Sequence, residues 1–283
     1  MFRLVKKEYL GEAIVRMVID APRIAAKIGP GQFVIIRADE KGERIPLTVS
    51  DFDREKGTVT IICQTVGAST KLLAAIPEGE FIKDVVGPLG KTTELEGIKK
   101  VAVIGGGLGC AIAYPQAKFL YNSGAEVDII AGFRSTDFII LEDEMKAVSN
   151  SLTVLTDDGS NGNKGLVTDG LKKKIEEGAQ YDTVIAIGPP IMMKFVSLLT
   201  KEYGIKTIVS MNPIMIDGTG MCGGCRLTVG GETKFACIDG PDFDGHLVDF
   251  DELIRRNGMY RTEEALANNK VHVCNLDNVG GEH

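Results

Sequence analysis

The segment Val101-Ala102-Val103-Ile104-Gly105-Gly106-Gly107-Leu108-Gly109-Cys110 decides the fold. An unbroken apolar run that ends in four glycines within five positions predicts a strand buried on both faces, turning directly into a helix. Cys110–Tyr121 then continues at helical period. The alternation repeats downstream. Glu126–Ala131 reads as a second buried strand, Leu141–Ala147 as a helix, Leu152–Leu155 as a strand and Val167–Glu177 as a helix. Val184–Ile187 is a strand, Ile191–Tyr203 a helix and Thr207–Val209 a strand. Strands alternating with helices predict βαβ units and a doubly wound parallel sheet over residues 99–211.

The glycine turn suits a phosphate. Gly105, Gly106, Gly107 and Gly109 let an anion approach backbone N–H groups at the positive end of a helix without Cβ clashes. The strict G-x-G-x-x-G spacing is not met, because Cys110 stands where the third glycine would be. The acidic residue expected at the end of the second strand is also missing, since that strand ends Ala131-Gly132-Phe133-Arg134. A tight strand-to-helix turn with no ligand is the competing reading. Gly188-Pro189-Pro190 lies at the carboxyl end of a later strand, where ligands bind in such sheets.

Upstream, residues 1–98 read as β. Short runs at Ile14–Ile19, Phe33–Arg37, Leu47–Ser50 and Thr58–Gln64 are separated by turn signals, and the spacing predicts a small antiparallel barrel. Thr70–Ile76 is the one helix expected there, with Ser69 placed to cap it. Downstream, residues 212–283 change texture. Asp217–Gly240 is rich in Gly and Cys, Asp249–Glu264 is an amphipathic helix by pattern, and Asn268–His283 is a polar tail.

Composition excludes several classes. The chain has 283 residues, 25% charged and 44% hydrophobic, with a net charge of −7 and no Trp. That length fits about two domains with a small third. An acidic chain without a basic block is a poor binder of nucleic acid or of a membrane surface. The longest uncharged apolar stretch, Val101–Gln116, is broken by glycines and falls short of the ~20 residues a spanning helix needs. The N-terminus MFRLVKKEYL shows no secretory signal. A reducing cytoplasm is therefore expected, and there six cysteines read as metal-binding or catalytic rather than as disulfides.

Their placement is specific. Asp217, Cys222, Cys225 and Cys237 reproduce the C-x4-C-x2-C…C spacing of a plant-type [2Fe–2S] loop, with Asp at the first position. Gly218, Gly220, Gly223 and Gly224 let the chain wrap a cluster. A zinc site completed by His246 or Cys274, and a redox Cys-Gly-Gly-Cys dithiol, remain open. Cys63, Cys110 and Cys274 read as buried or incidental thiols with respect to the cluster. The three histidines fall late in the chain, and no general acid–base constellation is evident.

A barrel, a nucleotide-type α/β segment and an iron–sulfur loop, in that order, resemble the ferredoxin reductase-like flavoprotein superfamily. Pro30-Gly31-Gln32-Phe33 is similar to its strand-entry motif and Gly87-Pro88-Leu89-Gly90 to the end of its barrel. By this resemblance Pro46-Leu47-Thr48, Ile62-Cys63-Gln64 and Gly67-Ala68-Ser69-Thr70 imply FAD-binding segments. The arginine that the family sets on the flavin phosphate would fall on Ile45, and Arg44 is one place early. Gly105, Gly106, Gly107 and Gly109 with Asp157, Gly188 and Pro189 imply an NAD(H) site, with NADP(H) open because Arg134 stands at the second strand's end. Thr156-Asp157-Asp158-Gly159-Ser160 resembles the segment that borders the pyridine nucleotide in this group. Over residues 1–262 the chain is similar to two kinds of electron-transfer subunit. One serves dihydroorotate dehydrogenase. The other is the small subunit of NADH-dependent ferredoxin–NADP oxidoreductase, favoured by Asp217 and by the long C-terminal extension. The resemblance implies an oxidoreductase that passes electrons from NADH through FAD and [2Fe–2S] to a larger flavin and iron–sulfur partner subunit, and through it to ferredoxin. A standalone NAD(P)H–ferredoxin reductase and a zinc-bearing regulatory subunit are the competing readings.

Overall fold

The computed structural model describes residues 1–40 and 42–267. The N-terminal part is a curled antiparallel sheet. It comprises β1 (Phe2–Gly11), β2 (Ile14–Asp20), β3 (Phe33–Arg37), β4 (Ile45–Asp53), β5 (Thr58–Gln64), β6 (Phe81–Ile82) and β7 (Asp84–Leu89), in the order β6-β1-β2-β5-β4-β3-β7. The sheet matches the expected antiparallel barrel, with β2, β3, β4 and β5 over the four expected runs; β6 has only two residues. Strand β1 carries no clean alternation, because only Leu4 of its ten residues is buried. Two short helices interrupt the sheet, α1 (Pro22–Ala25) and α2 (Ala68–Ala75). Helix α1 was not expected, and α2 begins two residues earlier than its pattern suggests.

The parallel sheet follows its predicted alternation. Its elements are β8 (Lys100–Gly106), α3 (Gly109–Asn122), β9 (Glu126–Phe133), α4 (Glu142–Ala147), β10 (Ser151–Thr156), α5 (Val167–Glu176), β11 (Thr183–Ile187), α6 (Pro190–Glu202) and β12 (Lys206–Ser210). Val101, Ala102, Val103 and Ile104 are fully buried. Each larger side chain there contributes about 1.5–3 kcal/mol of burial, which is why the run forms a central strand. The order β10-β9-β8-β11-β12 puts the switch of winding direction between β8 and β11. No helix among the described residues is long and apolar enough to cross a membrane.

The third segment holds a hairpin, β13 (Arg226–Val229) and β14 (Glu232–Phe235), then α7 (Ala236–Asp239), β15 (Asp242–Asp244) and α8 (Phe250–Asn257). Strand β15 pairs antiparallel with β12, so this segment supplies the edge strand of the parallel sheet. The expected helix Asp249–Glu264 is interrupted. Its Asp249 cap accepts from Glu252 N–H, α8 closes at Gly258, and helical backbone resumes over 261–267. The polar tail, with Cys274, His272 and His283, lies outside the described residues.

The three segments share their cores. Ile14 and Ile62 of the curled sheet pack with Val101, Val103 and the inner face of α3, while Phe33 and Ile35 pack with Cys225, Leu227 and Cys237. Lys118 of α3 pairs with Asp51 of β4 at 2.8 Å. Asp242 joins all three segments. Its carboxyl accepts from Thr93 Oγ1 and from Gln116 Nε2 at 3.1 Å, while its Oδ1 is buried without a partner. Burial lifts its pKa to about 6, against 3.8 as the ordinary value. A carboxyl raised on folding adds stability only while protonated, and that stability is lost as pH rises through 6. Asp242→Asn is therefore expected to gain on the wild type between pH 4 and pH 7, by roughly 2–3 kcal/mol, in urea unfolding at stepped pH. Parallel unfolding curves across that range would show that the carboxyl carries no such penalty.

Candidate functional site

The glycine turn lies at the carboxyl ends of β8 and β11. Each glycine there has its own reason. A Cβ on Gly105 would stand 2.6 Å from Cys110 Sγ, one on Gly106 would overlap Met192 Sδ, and one on Gly109 would overlap the Ile187 carbonyl oxygen. Gly107 has open space around it but takes φ +54°, which L residues avoid. Three of the four glycines thus serve close packing of α3 and α6 onto the strand ends. The effect is to bring Gly188 and Pro189 against Gly106, with no side chain capping the first turn of α3. Cys110 is fully buried and its thiol is pushed up to about 12, so it is a packing residue. The end of β9 lies beside Asp157, whose N–H donates to Phe133 O at 2.9 Å.

The expected flavin residues gather on β4, β5 and the start of α2. Pro46, Leu47 and Thr48 are half-buried on β4, opposite Ile35, Val34 and Phe33. Gln64 is half-buried at the end of β5. Cys63, by contrast, points into the barrel core, where burial pushes its thiol up to about 11. Ile62 points the other way, into the core shared with α3. The side chains of both are taken up by packing, so only their backbone is left for a ligand. Helix α2 starts from Gly67, and Thr70 rather than Ser69 closes that turn. Thr70 Oγ1 accepts from Gly67 N–H and donates to Gly67 O, both at 3.1 Å. Ser69 Oγ donates to Glu43 at 2.7 Å, so the expected Ser69 cap is not made. Helix geometry decides this: the extended residue at the cap is Gly67, two positions earlier.

The cysteine loop brings its donors together in pairs. Cys225 and Cys237 are buried with their sulfurs 3.2 Å apart, and burial with the neighbouring thiol pushes Cys237 up. Cys222 is exposed, and Gly224 N–H, 3.4 Å from its sulfur, helps hold its thiol below the usual range. The Asp217 charge acts on Cys222 in the opposite sense. Asp217 accepts from Thr219 N–H at 2.9 Å and from the Thr219 hydroxyl; with a smaller contribution from Arg44 these hold its carboxyl down. Gly218 and Gly220 both take positive φ, and a Cβ on either would press at 2.9 Å on Ile35 or Ile238.

Among the described residues no three His, Cys, Asp or Glu side chains converge on one point fit for a single ion. Two pairs of donors, with backbone N–H groups aimed at sulfur, fit a two-iron cluster, which takes two protein donors at each iron. His246 has its Nε2 engaged 3.1 Å from Thr200 Oγ1 of α6. Residues that sequence alone missed here are Thr219 on Asp217, and Asp242 beneath the junction. No spacing rule marks them, because each contact crosses segments or rests on a local side-chain turn.

Comparison with known proteins agrees with this arrangement. Residues 212–249 match the iron–sulfur cluster binding domain of dihydroorotate dehydrogenase B. A dihydroorotate dehydrogenase B (NAD+) electron transfer subunit homolog of Thermotoga maritima is 47% identical, with 93% of each chain covered. The chain belongs to this electron-transfer subunit family. A member from Fusobacterium nucleatum is 36% identical over 75% of this chain and 83% of its own length. The solved structure of NADH-dependent reduced ferredoxin–NADP oxidoreductase, described for flavin-based electron bifurcation, contains a chain that superposes with TM-score 0.90. It is 45% identical, with 95% of this chain and 97% of that one covered. A ferredoxin reductase of carbazole 1,9a-dioxygenase, 19% identical with TM-score 0.60, shares the fold. Family members of this kind are oxidoreductase subunits, and the order of curled sheet, parallel sheet and cysteine loop is theirs.

Proposed function

We propose that this chain is a FAD- and [2Fe–2S]-bearing electron-transfer subunit that draws on NADH and feeds a larger catalytic partner. The observation that carries this reading is the placement of the paired thiols beside β3 of the curled sheet, within one core with the carboxyl ends of the parallel strands. When bound, FAD would supply hydride acceptance from a nicotinamide and one-electron exchange with a cluster held by the cysteine loop. The chain's own part is to bind, orient and exclude water. Gly67 and Thr70, at the uncapped start of α2, with Ser69 beside them, suit the flavin pyrophosphate. Pro46, Leu47, Thr48 and Gln64 line the flavin's approach, with the backbone of Ile62 and Cys63. Gly105, Gly106, Gly107 and Gly109, with Gly188, Pro189 and Asp157, take NAD(H). Asp217, Cys222, Cys225 and Cys237 hold the cluster. Residues 1–98, 99–211 and 212–283 are the corresponding flavin, nucleotide and cluster units, the last tied to the second through β15.

The partner is the larger subunit of a ferredoxin–NADP oxidoreductase, a reading supported by 45% identity to a chain of that complex against 36% to the Fusobacterium nucleatum dihydroorotate dehydrogenase subunit. Exposed apolar residues around the ligands, Ile216, Met221 and Ile238, offer it a face. Free thiols as cluster ligands suit the cytoplasm. The test is anaerobic. Loaded chain alone should be bleached by NADH and show a reduced-cluster EPR signal, yet turn over no metabolite until its partner is added. Reduction of a specific metabolite by the chain alone would falsify the subunit role. Asp217→Ala is expected to change the visible and EPR spectra of the cluster; an unchanged spectrum removes Asp217 from the ligand set.

A further inference from the structure

Between Cys222 and Cys225 the chain turns through Gly223 and Gly224, the least restrained pair of residues it could place there. Two arginines restrain it from outside. Gly223 O accepts from Arg226 Nη1 at 3.2 Å, and Gly224 O accepts from Arg256 Nη2 at 3.3 Å. The Gly223 carbonyl belongs to the same peptide unit as the Gly224 N–H, which lies 3.4 Å from Cys222 Sγ. In a trans peptide the C=O and N–H point in opposite directions. A donor fixed on the Gly223 oxygen therefore fixes the Gly224 N–H on the sulfur. It also polarises the unit, which strengthens donation at the other end.

The two arginines reach the loop from different elements. Arg226 opens β13, directly after Cys225, and Arg256 lies in the last turn of α8. Helix α8 is firmly seated for this. Phe250 and Leu253 pack in one core with Cys225, Leu227 and Cys237. Both backbone groups of Thr228 on β13 are bound by the start of α8. Glu252 accepts from Thr228 N–H at 3.0 Å, and Asp249 N–H donates to Thr228 O at 2.9 Å. Lys194 of α6 pairs with Asp251 at 2.6 Å. Arg226 and Arg256 line one cleft of about 120 Å³ with Gly224. Neither makes an ion pair with any described residue. In a chain of net charge −7, two uncompensated cations thus lie against the cysteine loop.

We propose that Arg226 and Arg256 are positioning residues of the cluster site, which lock the Gly223 and Gly224 carbonyls, keep the Gly224 N–H on the Cys222 sulfur, and raise the reduction potential of a cluster held there. This rests on the cluster placement proposed above and adds the residues that tune it. An electron accepted at the site adds one negative charge, which N–H donation to sulfur and an unpaired guanidinium both stabilise. The test is an anaerobic redox titration of the flavin- and cluster-loaded full chain, followed by EPR, with iron analysis of each variant. Arg226→Gln and Arg256→Gln should keep their iron and lower the midpoint. The expected fall is roughly threefold or more in the one-electron equilibrium, about 30 mV at 59 mV per tenfold. Arg226→Lys and Arg256→Lys keep the charge and should recover at least half of that fall. Arg255→Gln is the control. It removes the same charge from the same turn of α8, but the exposed Arg255 side chain makes no hydrogen bond or ion pair with any described residue. Its midpoint should move less than half as far. Midpoints in Arg226→Gln and Arg256→Gln no lower than in Arg255→Gln overturn the proposal, as do Lys variants no better than Gln. Iron lost from a Gln variant and restored in its Lys counterpart supports it; iron lost from both overturns it. A wild-type chain with no cluster signal overturns the cluster placement instead.

Discussion

Cys225→Ser is expected to strip iron and acid-labile sulfide from the chain while leaving flavin bleaching by NADH intact. Cys225 is 2% exposed and its sulfur lies 3.2 Å from Cys237 Sγ, so it forms the buried pair of the proposed donor set. A serine alkoxide is a harder and far more basic donor than a thiolate, and an iron–sulfur cluster is held by soft sulfur ligands. Folding should survive, since the substitution removes little volume. The cluster's visible and EPR signals should fall to background, and transfer of electrons to the partner should stop with them. Cys110→Ser is the control: Cys110 is as deeply buried but lies under the glycine turn, so iron content should hold even if stability drops. Normal iron in Cys225→Ser would place the cluster elsewhere.

Gly109→Ala is expected to be the most destabilising single-methyl change in the chain. The added Cβ would overlap the Ile187 carbonyl oxygen and stand 2.7 Å from Gly188 Cα, both backbone atoms of the β11 turn. Neither can rotate away, so α3 must lift from the sheet. Overpacking of this kind costs about 3 kcal/mol or more. In a chain of this size that is a fall in melting temperature of roughly 6–12 °C. Because the same contact holds Gly188 and Pro189 against Gly106, NADH affinity should fall at least tenfold. Gly107→Ala is the informative comparison. It meets nothing within 4 Å and carries only the cost of positive φ, about 1–2 kcal/mol. Equal losses in the two variants would show that close packing at Gly109 is not the reason for its glycine.

Much of the site is legible along the chain because its signals are local. The buried run of β8, the glycines after it and the C-x2-C loop are read within a dozen residues, and their chemistry follows from residue type. Cys63, read as a buried thiol, is indeed turned into the barrel by strand alternation, which leaves its backbone for a ligand. What failed was also local in kind. Ser69 looks like a cap until the dihedrals put the extended residue at Gly67. The one helix expected from Asp249 to Glu264 breaks at Gly258. Strands β13, β14 and β15 have four, four and three residues. Runs that short show no period, so they form only because a partner strand is already in place.

By itself the sequence determined the alternation of strands and helices and the glycine-rich turn, and it marks the four positions proposed as cluster ligands, since each depends on neighbours a few residues apart. Only the tertiary structure decided which groups meet across segments. It sets Asp242 beneath Thr93 and Gln116, and delivers Asp157 to the end of β9 from the strand beside it. Those contacts are fixed by sheet register and by how the segments share their cores, and register is a property of pairing between distant residues that no single stretch of chain contains.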